Sequence, residues 1–324
     1  MTSRTIHTRR GFIGVTSACA AHMALMATPF PAAARALWSR RVQGSVIAQE
    51  PFGRLELLGE GLWAFISTPL GGDYTTVSNG GIIAGRDGVL VVEGFYSDEG
   101  SAWLAGQVRK LTGREPSHAV VTHYHADHTR GLGGLSDGRP EGAEALRMLT
   151  TPKTKALLID KEEPVIPEAD IDNDGDGESI DLGGKRVRLI PRLGHTPSDV
   201  TIELEEPDVV FCGDLVWNGM FPNYVDAIPS HLTDHCEKIL GRKGTTYVPG
   251  HGDLGDAKTL APYLGVIRDI DKSARRAVEK GTPAAEAAAE YKIPESLGEW
   301  MSFSEDYYER AFLAWEKELT KSEG

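Results

Sequence analysis

Short apolar runs separated by turn residues dominate the chain from residue 54 to residue 251. Runs of this length, bounded by Gly, Pro, Asp and Asn, predict buried strands. The predicted strands are residues 54–66 (two strands across a Gly59–Gly61 turn), 82–84, 89–92, 119–121, 186–190, 200–204, 209–211 and 246–248. Residues 82–84 and 89–92 are expected to form a hairpin.

Helix signals stand between these strands. Ser97 is the predicted cap of a helix that runs to Leu111, and Thr151 followed by Pro152 predicts another helix start. Residues 230–240 predict a third helix, because their apolar positions share one face. Strand groups with helices between them in both halves of the chain predict an α/β sandwich.

Beyond residue 255 the apolar positions follow only the helical period. One stripe runs from Leu260 to Val278 and stops at Gly281, and a second runs from Tyr308 to Leu319. Such stripes usually face a core, which predicts helices packed on the sandwich. The predicted division of the chain is residues 1–36, 37–255 and 256–324, and the last two segments are expected to form one domain.

The first 36 residues carry a different pattern. Thr8–Ile13 includes two adjacent arginines, an apolar stretch covers residues 12–27, and an Ala-Arg-Ala sequence ends at Ala36. A charged start, a short apolar middle and small residues at the end predict a twin-arginine export signal, with a disordered basic leader as the alternative. We therefore expect an exported protein, periplasmic or secreted, with the twin-arginine export machinery as a partner.

The charge of the chain argues against one class of partner. The 324 residues carry a formal net charge of −13, and loss of residues 1–36 removes four arginines and no acid, which moves the charge to −17. Such a chain repels polyanions, so we expect no nucleic acid as partner or substrate, and a small molecule instead. No apolar run is long enough to span a bilayer, and no pattern indicates an oligomeric state.

Seven candidate metal ligands follow the apolar runs. They are His123, His125, Asp127, His128, His195, Asp214 and His251. Imidazole and carboxylate groups suit a divalent ion such as Zn²⁺, and seven exceed what one tetrahedral ion uses, so the sequence predicts two ions. Because positions two apart on an extended segment face the same side, His123 and His125 are expected to share one ion. Asp127 and His128 can then turn toward the other.

In the order of these motifs, residues 55–251 resemble the metallo-β-lactamase superfamily. The resemblance implies a four-layer αβ/βα sandwich, here with extra C-terminal helices, and a dinuclear site between its two sheets. It also implies that one ion is held by His123, His125 and His195, the other by Asp127, His128 and His251, with Asp214 as the bridge.

Asp214 bears on the type of hydrolase. The β-lactamases of this superfamily carry cysteine or serine at the matching position, whereas an aspartate resembles glyoxalase II, lactonases and exported lactamase-related hydrolases. The resemblance therefore implies an exported dinuclear hydrolase of esters, lactones, thioesters or amides, β-lactams among them. Zinc is the expected metal, with iron or manganese as alternatives, and Asp127 and Asp214 are the expected catalytic residues. The alternative function is a mononuclear iron oxidoreductase of the persulfide dioxygenase type.

Two further segments carry candidate binding residues. The segment after Asp214 is predicted to line the substrate pocket, with a packed loop as the alternative; its residues are Trp217, Asn218, Met220, Phe221, Asn223 and Tyr224. An acidic loop fits part of the spacing of a calcium-binding loop. Its acids are Asp170, Asp172, Asp174, Asp176 and Asp181. Calcium is one interpretation of this loop, and a solvated acidic loop is the other.

Overall fold

The computed structural model describes residues 44–68, 73–172 and 177–321 of the chain. Twelve strands lie within these ranges: β1 Ser45–Glu50, β2 Gly53–Gly59, β3 Leu62–Ser67, β4 Gly80–Ala84, β5 Val89–Val92, β6 His118–Val120, β7 Arg147–Leu149, β8 Glu178–Asp181, β9 Arg186–Pro191, β10 Val200–Leu204, β11 Val209–Trp217 and β12 Thr246–His251. The α-helices of the same ranges are α1 Asp98–Thr112, α2 Ala126–Thr129, α3 Pro152–Asp160, α4 Pro229–Leu240, α5 Ala261–Lys280, α6 Ala284–Glu290 and α7 Tyr307–Lys321.

The strands form two sheets that follow the order of the chain. The first sheet contains β1 to β7 in sequence order, antiparallel from β1 to β5 and parallel from β5 to β7. The second sheet has the order β12-β11-β10-β9-β8, in which only β11 and β12 are parallel among the described strands. Parallel strands end at the same edge of a sheet, and loops at such an edge are where α/β proteins place their binding residues.

Alternation along the strands divides the core into layers. Val89 and Val91 of β5 pack with Leu104 of α1, whereas Leu90 and Val92 pack against side chains of the second sheet. This division follows because successive side chains of a strand point to opposite faces. A third apolar core lies between the second sheet and helices α4, α5 and α7. The result is the four-layer αβ/βα sandwich that the resemblance implies.

Side-chain caps and glycines set the ends of the helices. Ser97 and Thr151 each accept a hydrogen bond from a backbone amide in the first turn of the helix that follows, at 3.3 and 3.0 Å. Pro152 occupies the first turn of α3, where its missing amide hydrogen costs nothing. Helix α5 ends at Gly281, which adopts φ 67°. These boundaries agree with the predictions made from the sequence.

The C-terminal helices cover the outer face of the second sheet. Ile267 and Ile270 of α5 and Phe312 and Trp315 of α7 are buried there with Val216 of β11. This is the packing that the two apolar stripes predict. No helix in the described part of the chain combines the length and apolar character needed to cross a membrane.

Several elements differ from the sequence predictions. Strands β1, β7 and β8 and helix α6 were not predicted; all are short, and β1 and β8 are mostly exposed, so neither shows a buried apolar run. Strand β11 extends to Trp217, well beyond the predicted residues 209–211. The predicted export signal, residues 1–36, lies outside the described residues and stays a prediction.

Candidate metal centre

Four segments of backbone bring the seven predicted ligands to one end of the two sheets. They are His123 after β6, His125 at the start of α2, Asp127 and His128 within α2, His195 after β9, Asp214 within β11 and His251 at the end of β12. Their ligand atoms gather in two sets, each with atoms within 4.8 Å of one another. We call His123, His125 and His195 the three-histidine group, and Asp127, His128 and His251 the mixed group.

The ring nitrogens of the three-histidine group converge on one point. Nδ1 of His125 lies 3.1 Å from Nε2 of His123 and 3.0 Å from Nε2 of His195. Oδ2 of Asp214 lies 3.4 Å from Nε2 of His195 and 3.8 Å from Nε2 of His123. Tetrahedral coordination with bonds of ~2.0–2.1 Å separates ligand atoms by about 3.3 Å. The four residues therefore fit one tetrahedral ion.

The mixed group converges on a second point. Oδ2 of Asp127 lies 3.3 Å from Nε2 of His251 and 3.6 Å from Nε2 of His128. Oδ1 of Asp214 lies 3.2 Å from Nε2 of His128 and 3.3 Å from Nε2 of His251. The two oxygens of Asp214 thus face different groups, which is the arrangement of a bridging carboxylate.

Atoms around the second point have no hydrogen bonds although they are buried. Nε2 of His128, Nε2 of His251 and Oδ1 of Asp214 lack a hydrogen-bond partner among the described residues. Leaving such an atom unpaired costs ~1–3 kcal/mol, and a cation held by all three would remove that cost. Imidazole nitrogens and carboxylate oxygens suit Zn²⁺, Fe²⁺ and Mn²⁺. The residues present therefore fit a divalent metal.

An irregular stretch of β11 aims Asp214 at the two groups. The pairing with β12 shifts register between Phe211 and Gly213, and Gly213 adopts φ 52°, which side chains disfavour. A Cβ atom at Gly250 of β12 would lie 2.0 Å from Oδ1 of Asp214. Glycine is therefore required where β12 passes the bridging carboxylate.

Burial and charge separate the two groups. Burial lowers the pKa of His195 to about 4, although Asp214 opposes the shift. Burial and the neighbouring histidines hold the pKa of His123 well below its ordinary value. Burial also disfavours charge on His251, but Asp214 and Asp127 outweigh it and raise the pKa of His251 to about 9. At neutral pH without metal, His123 and His195 are therefore neutral and His251 carries a proton.

The carboxylates of the site remain ionised. Burial disfavours a charge on Asp214, but His251 and His128 outweigh it and hold the pKa of Asp214 well below its ordinary value. His128 and His251 likewise hold the pKa of Asp127 below its ordinary value. The neighbouring negative charges of buried Asp214 and partly buried Asp127 require a positive charge between them, which protons supply in the metal-free protein and a metal ion can supply instead.

Glu93 supports the ligands, although the sequence analysis did not identify it. It is buried at the end of β5, and its Oε1 lies 3.0 Å from Nδ1 of His128. The same carboxylate accepts hydrogen bonds from the amide and the hydroxyl of Thr122, whose Oγ1 lies 2.9 Å from Nδ1 of His123. An acid directly after a buried strand, at the sheet edge where the ligands lie, was the available signal.

Asn79 was also missed, and it joins the two sheets beside the site. Its side-chain amide donates to the carbonyl oxygens of Pro249 and Gly252, both at 2.8 Å, and its Oδ1 accepts from the amide of Ser67 at 2.9 Å. These bonds hold the residues on either side of His251 against the first sheet. A single buried asparagine in a loop carries no sequence signal of this role.

The segment predicted to line the substrate pocket is largely core. Trp217, Met220, Phe221 and Tyr224 are each at most 2% exposed and pack beneath the C-terminal helices. The ring of Trp217 meets that of His251 edge on, with centroids 4.7 Å apart. The four side chains are placed as the alternative of a packed loop expects, because α7 and the residues before it cover them.

The two asparagines of this segment contact a metal ligand or a residue close to one in sequence. Asn218 donates to the carbonyl oxygen of Asp253 at 2.8 Å, and the carbonyl oxygen of Asn223 lies 3.1 Å from Nδ1 of His195. Substrate contacts of the segment stay a prediction.

The acidic loop is described only in part. Asp174 and Asp176 lie outside the described residues. Asp170 pairs with Arg147 at 2.8 Å, and Asp181 lies in β8, where its carboxylate accepts from two backbone amides of the next turn. Asp181 thus lies in a strand beyond the loop. The calcium interpretation stays a prediction.

Known proteins are similar to this chain in sequence and in fold. The Metallo-beta-lactamase superfamily profile matches residues 73–251. The chain is 23% identical over 252 residues to a Metallo-beta-lactamase type 2 of Bacillus cereus, and the match covers 74% of this chain and 93% of that protein. It is 26% identical over 199 residues to an acyl-coenzyme A thioesterase of Gallus gallus, and the match covers 51% of this chain and 70% of that protein.

Solved structures agree on the fold. A metallo-beta-lactamase from Pontibacter korlensis superposes with a TM-score of 0.55 at 20% sequence identity, over 67% of this chain and 99% of that chain. The matched profile covers more than half of the chain, and its range contains all seven ligands. The chain belongs to the metallo-beta-lactamase superfamily.

Proposed function

We propose that this protein is a hydrolase with two divalent metal ions, zinc in the native protein, that cleaves an ester, lactone, thioester or amide of a small molecule. One observation carries the proposal. The two oxygens of Asp214 face two separate sets of ligand atoms, at distances between 3.2 and 3.8 Å. A mononuclear iron oxidoreductase would need only one of these sets.

The chemistry follows from the charge of the site. Bound at these ligands, a pair of divalent ions lowers the pKa of water from 15.7 to ~7 and polarises an acyl oxygen. The protein contributes fixed geometry, because five of the seven ligand side chains are at most 3% exposed. No serine or cysteine nucleophile is needed for such a reaction.

The exposure of the ligand side chains supports one side of the site as the route of the substrate. His125 and Asp127 are the partly exposed ligands, with side chains 17% and 20% exposed. An acyl group therefore enters past these two residues. The ionised carboxylate of Asp127 lies at this entrance, where it can orient a reacting water and accept its proton.

The substrate class rests on two considerations. The relatives named above are a lactamase and a thioesterase, whose names denote cleavage of acyl bonds. The aspartate at position 214 resembles the ester- and thioester-cleaving members of the superfamily more than its β-lactamases. We therefore place lactones and thioesters ahead of β-lactams as substrates.

The test is a hydrolysis panel on metal-quantified protein. Mature protein is purified, its metal is measured by mass spectrometry, and lactones, thioesters, β-lactams and phosphoesters are assayed. We expect two zinc ions per chain, loss of acyl hydrolysis on chelation, and recovery when zinc is added back. One iron per chain with oxygen-dependent turnover of a persulfide would favour the oxidoreductase and overturn the proposal.

Export is a second part of the proposal. The pair Arg9 and Arg10, the apolar stretch and the Ala-Arg-Ala end support a twin-arginine signal at residues 1–36. Replacing both arginines by lysine is expected to keep the protein in the cytoplasm, as measured by cell fractionation. Unchanged distribution would contradict this route.

A further inference from the structure

Each ligand of the three-histidine group has a partner at its second ring nitrogen. Nδ1 of His123 lies 2.9 Å from the hydroxyl of Thr122, and Nδ1 of His195 lies 3.1 Å from the carbonyl oxygen of Asn223. For His125 the partner is a carboxylate: Nε2 lies 3.1 Å from Oδ2 of Asp226. Among the described residues, the second ring nitrogen of His125 faces an anionic group, whereas those of His123 and His195 face neutral ones.

Of the three histidines, His125 is the least enclosed by other residues. Its side chain is 17% exposed, whereas those of His123 and His195 are fully buried. It stands at the N-cap position of α2, a helix of four residues, and makes no capping hydrogen bond. A ring in this position depends on its side-chain partner for a fixed orientation.

The carboxylate that faces His125 is itself held in place. The hydroxyl of Tyr124 donates to Oδ2 of Asp226, the same oxygen that faces His125. Asp226 lies in the loop between β11 and α4, only three residues after Asn223, whose carbonyl faces His195. One short loop thus contacts two of the three histidines from outside the ligand cluster.

We infer that Asp226 is a positioning residue that fixes the ring and the tautomer of His125 for metal binding. The inference rests on the proposed metal site. Since Nδ1 of His125 points to the other ligand nitrogens, its Nε2 must carry the hydrogen, and Asp226 accepts that hydrogen bond. A carboxylate in this place orients the imidazole and increases its basicity as a ligand.

The inference gives residues 223–226 a role that the sequence did not suggest. Their backbone and side chains hold metal ligands, so a change in this loop acts on metal affinity before it acts on substrate selection. The sequence carries no signal for Asp226, because an exposed acid in a loop 101 residues away from its partner is not distinguishable from a solvated one.

The experiment measures metal binding and not turnover. Competition titrations with a chromophoric chelator give the Zn²⁺ affinity of full-length mature protein and of its Asp226→Ala, Asp226→Asn and Asp226→Glu variants. Each is made in a His251→Ala background, which weakens the mixed group and leaves the three-histidine group intact. Co²⁺ replaces Zn²⁺ in a parallel series, so that its visible spectrum reports the coordination geometry.

We expect Asp226→Ala to lower the Zn²⁺ affinity about 10- to 100-fold and to change the Co²⁺ spectrum. Asp226→Asn keeps an acceptor without the charge and should fall between Asp226→Ala and the parent, and Asp226→Glu should recover part of the loss. Tyr124→Phe keeps the carboxylate of Asp226 but removes the hydroxyl that donates to it, so we expect a smaller loss of Zn²⁺ affinity than in Asp226→Ala. The thermal stability of metal-free Asp226→Ala should match its parent, because a half-exposed pair contributes little.

Glu279→Gln is the matched control, since it removes one exposed carboxylate on α5 away from the ligands. A Zn²⁺ affinity of Asp226→Ala within twofold of its parent would overturn the inference, as would an equal loss in Glu279→Gln. Wild-type protein that binds no metal would overturn the proposed function as well. The two failures are therefore distinguishable.

Discussion

The two groups of ligands that share Asp214 differ in the charge that they hold before a metal binds. In the three-histidine group, burial keeps His123 and His195 neutral. In the mixed group, Asp127 and Asp214 keep their negative charges and raise the pKa of His251 to about 9. In the first group His123 and His195 are neutral before a cation binds, whereas the second group is already an ion cluster in which protons occupy the cation's place.

This difference has a consequence for metal binding. An ion entering the three-histidine group gains ligands without displacing protons from His123 or His195, whereas an ion entering the mixed group must displace protons from its histidines. Asp214 couples the two events, because one carboxylate supplies an oxygen to each side. The two halves of the site should therefore respond differently to pH and to mutation of their supports.

Removal of the shared carboxylate should have the largest effect, since it damages both groups at once. In Asp214→Ala the mixed group also loses a charge that holds its cation. We expect metal content to fall from two ions to one per chain, and kcat/KM for the best acyl substrate to fall about 10³-fold or more. Metal analysis and steady-state kinetics check both values, with Glu279→Gln as control. Unchanged metal content in Asp214→Ala would show that the two groups do not depend on Asp214 to hold their ions.

Acidification should then separate the groups. A proton competes with a metal for a histidine only below the pKa of that histidine. The pKa of His251 is about 9, and despite burial, Glu93, Asp214 and Asp127 raise that of His128 well above its ordinary value. Zn²⁺ affinity of the mixed group should therefore fall at least tenfold per unit below pH 9, or at least about 100-fold by pH 7. The pKa of His195 is about 4, so the three-histidine group should lose far less affinity over the same range.

Variants that each retain one group make the pH test direct. His195→Ala leaves the mixed group, and His251→Ala leaves the three-histidine group. Their Zn²⁺ affinities are titrated between pH 6 and 9 in buffers that bind zinc weakly. Equal slopes for the two variants would show that the charges of the groups do not differ.

The ligands themselves were predictable because coordination chemistry restricts their residue types and because their order along the chain resembles that of the superfamily. His123 and His125 on one extended turn, and the glycines beside Asp214 and His251, are local features that a sequence displays. The strands that deliver them were predictable for the same reason, since a buried strand reads as a short apolar run. The helix starts at Ser97 and Thr151 follow from local capping chemistry.

The supports of the ligands were not predictable, because they depend on packing between distant segments. The mixture of aromatic, Met and Asn residues after Asp214 predicted a pocket, yet Trp217 and Tyr224 are buried in the core beneath the C-terminal helices. The extension of β11 through Asp214 requires the bulge at Gly213, which the register with β12 determines. Asp226 looks like an ordinary acid until the fold places it beside His125, and the sequence signal for Glu93 is only its position directly after a buried strand.

Glu93→Gln tests the support of the mixed group and should have an intermediate effect. The substitution keeps the size of the side chain but removes the charge 3.0 Å from Nδ1 of His128. We expect about tenfold lower Zn²⁺ affinity of the mixed group, measured in the His195→Ala background. Thr122→Val is the comparison: it removes the hydroxyl beside His123 but leaves the charge of Glu93, so it should weaken the three-histidine group more than the mixed group. A larger effect of Glu93→Gln on the three-histidine group would contradict this assignment.

The smallest expected effect comes from Phe303, whose ring lies beside His251 of the mixed group. The ring of Phe303 lies 6.2 Å from that of His251 and 5.5 Å from that of Trp217. Phe303→Leu should lower the free energy of unfolding by less than about 1.5 kcal/mol, since it nearly conserves apolar volume. It should also lower the Zn²⁺ affinity of the mixed group by less than Glu93→Gln does, because His251 loses part of its packing.

Phe65→Leu provides the matched control for Phe303→Leu, because Phe65 is buried in the core between the first sheet and α1. Both variants should show similar losses in chemical denaturation, but only Phe303→Leu should change the Zn²⁺ affinity of the mixed group. An equal change in both would mean that metal affinity follows global stability. A change confined to Phe303→Leu would show that a residue beyond the matched superfamily range (residues 73–251) affects the Zn²⁺ affinity of the mixed group independently of global stability.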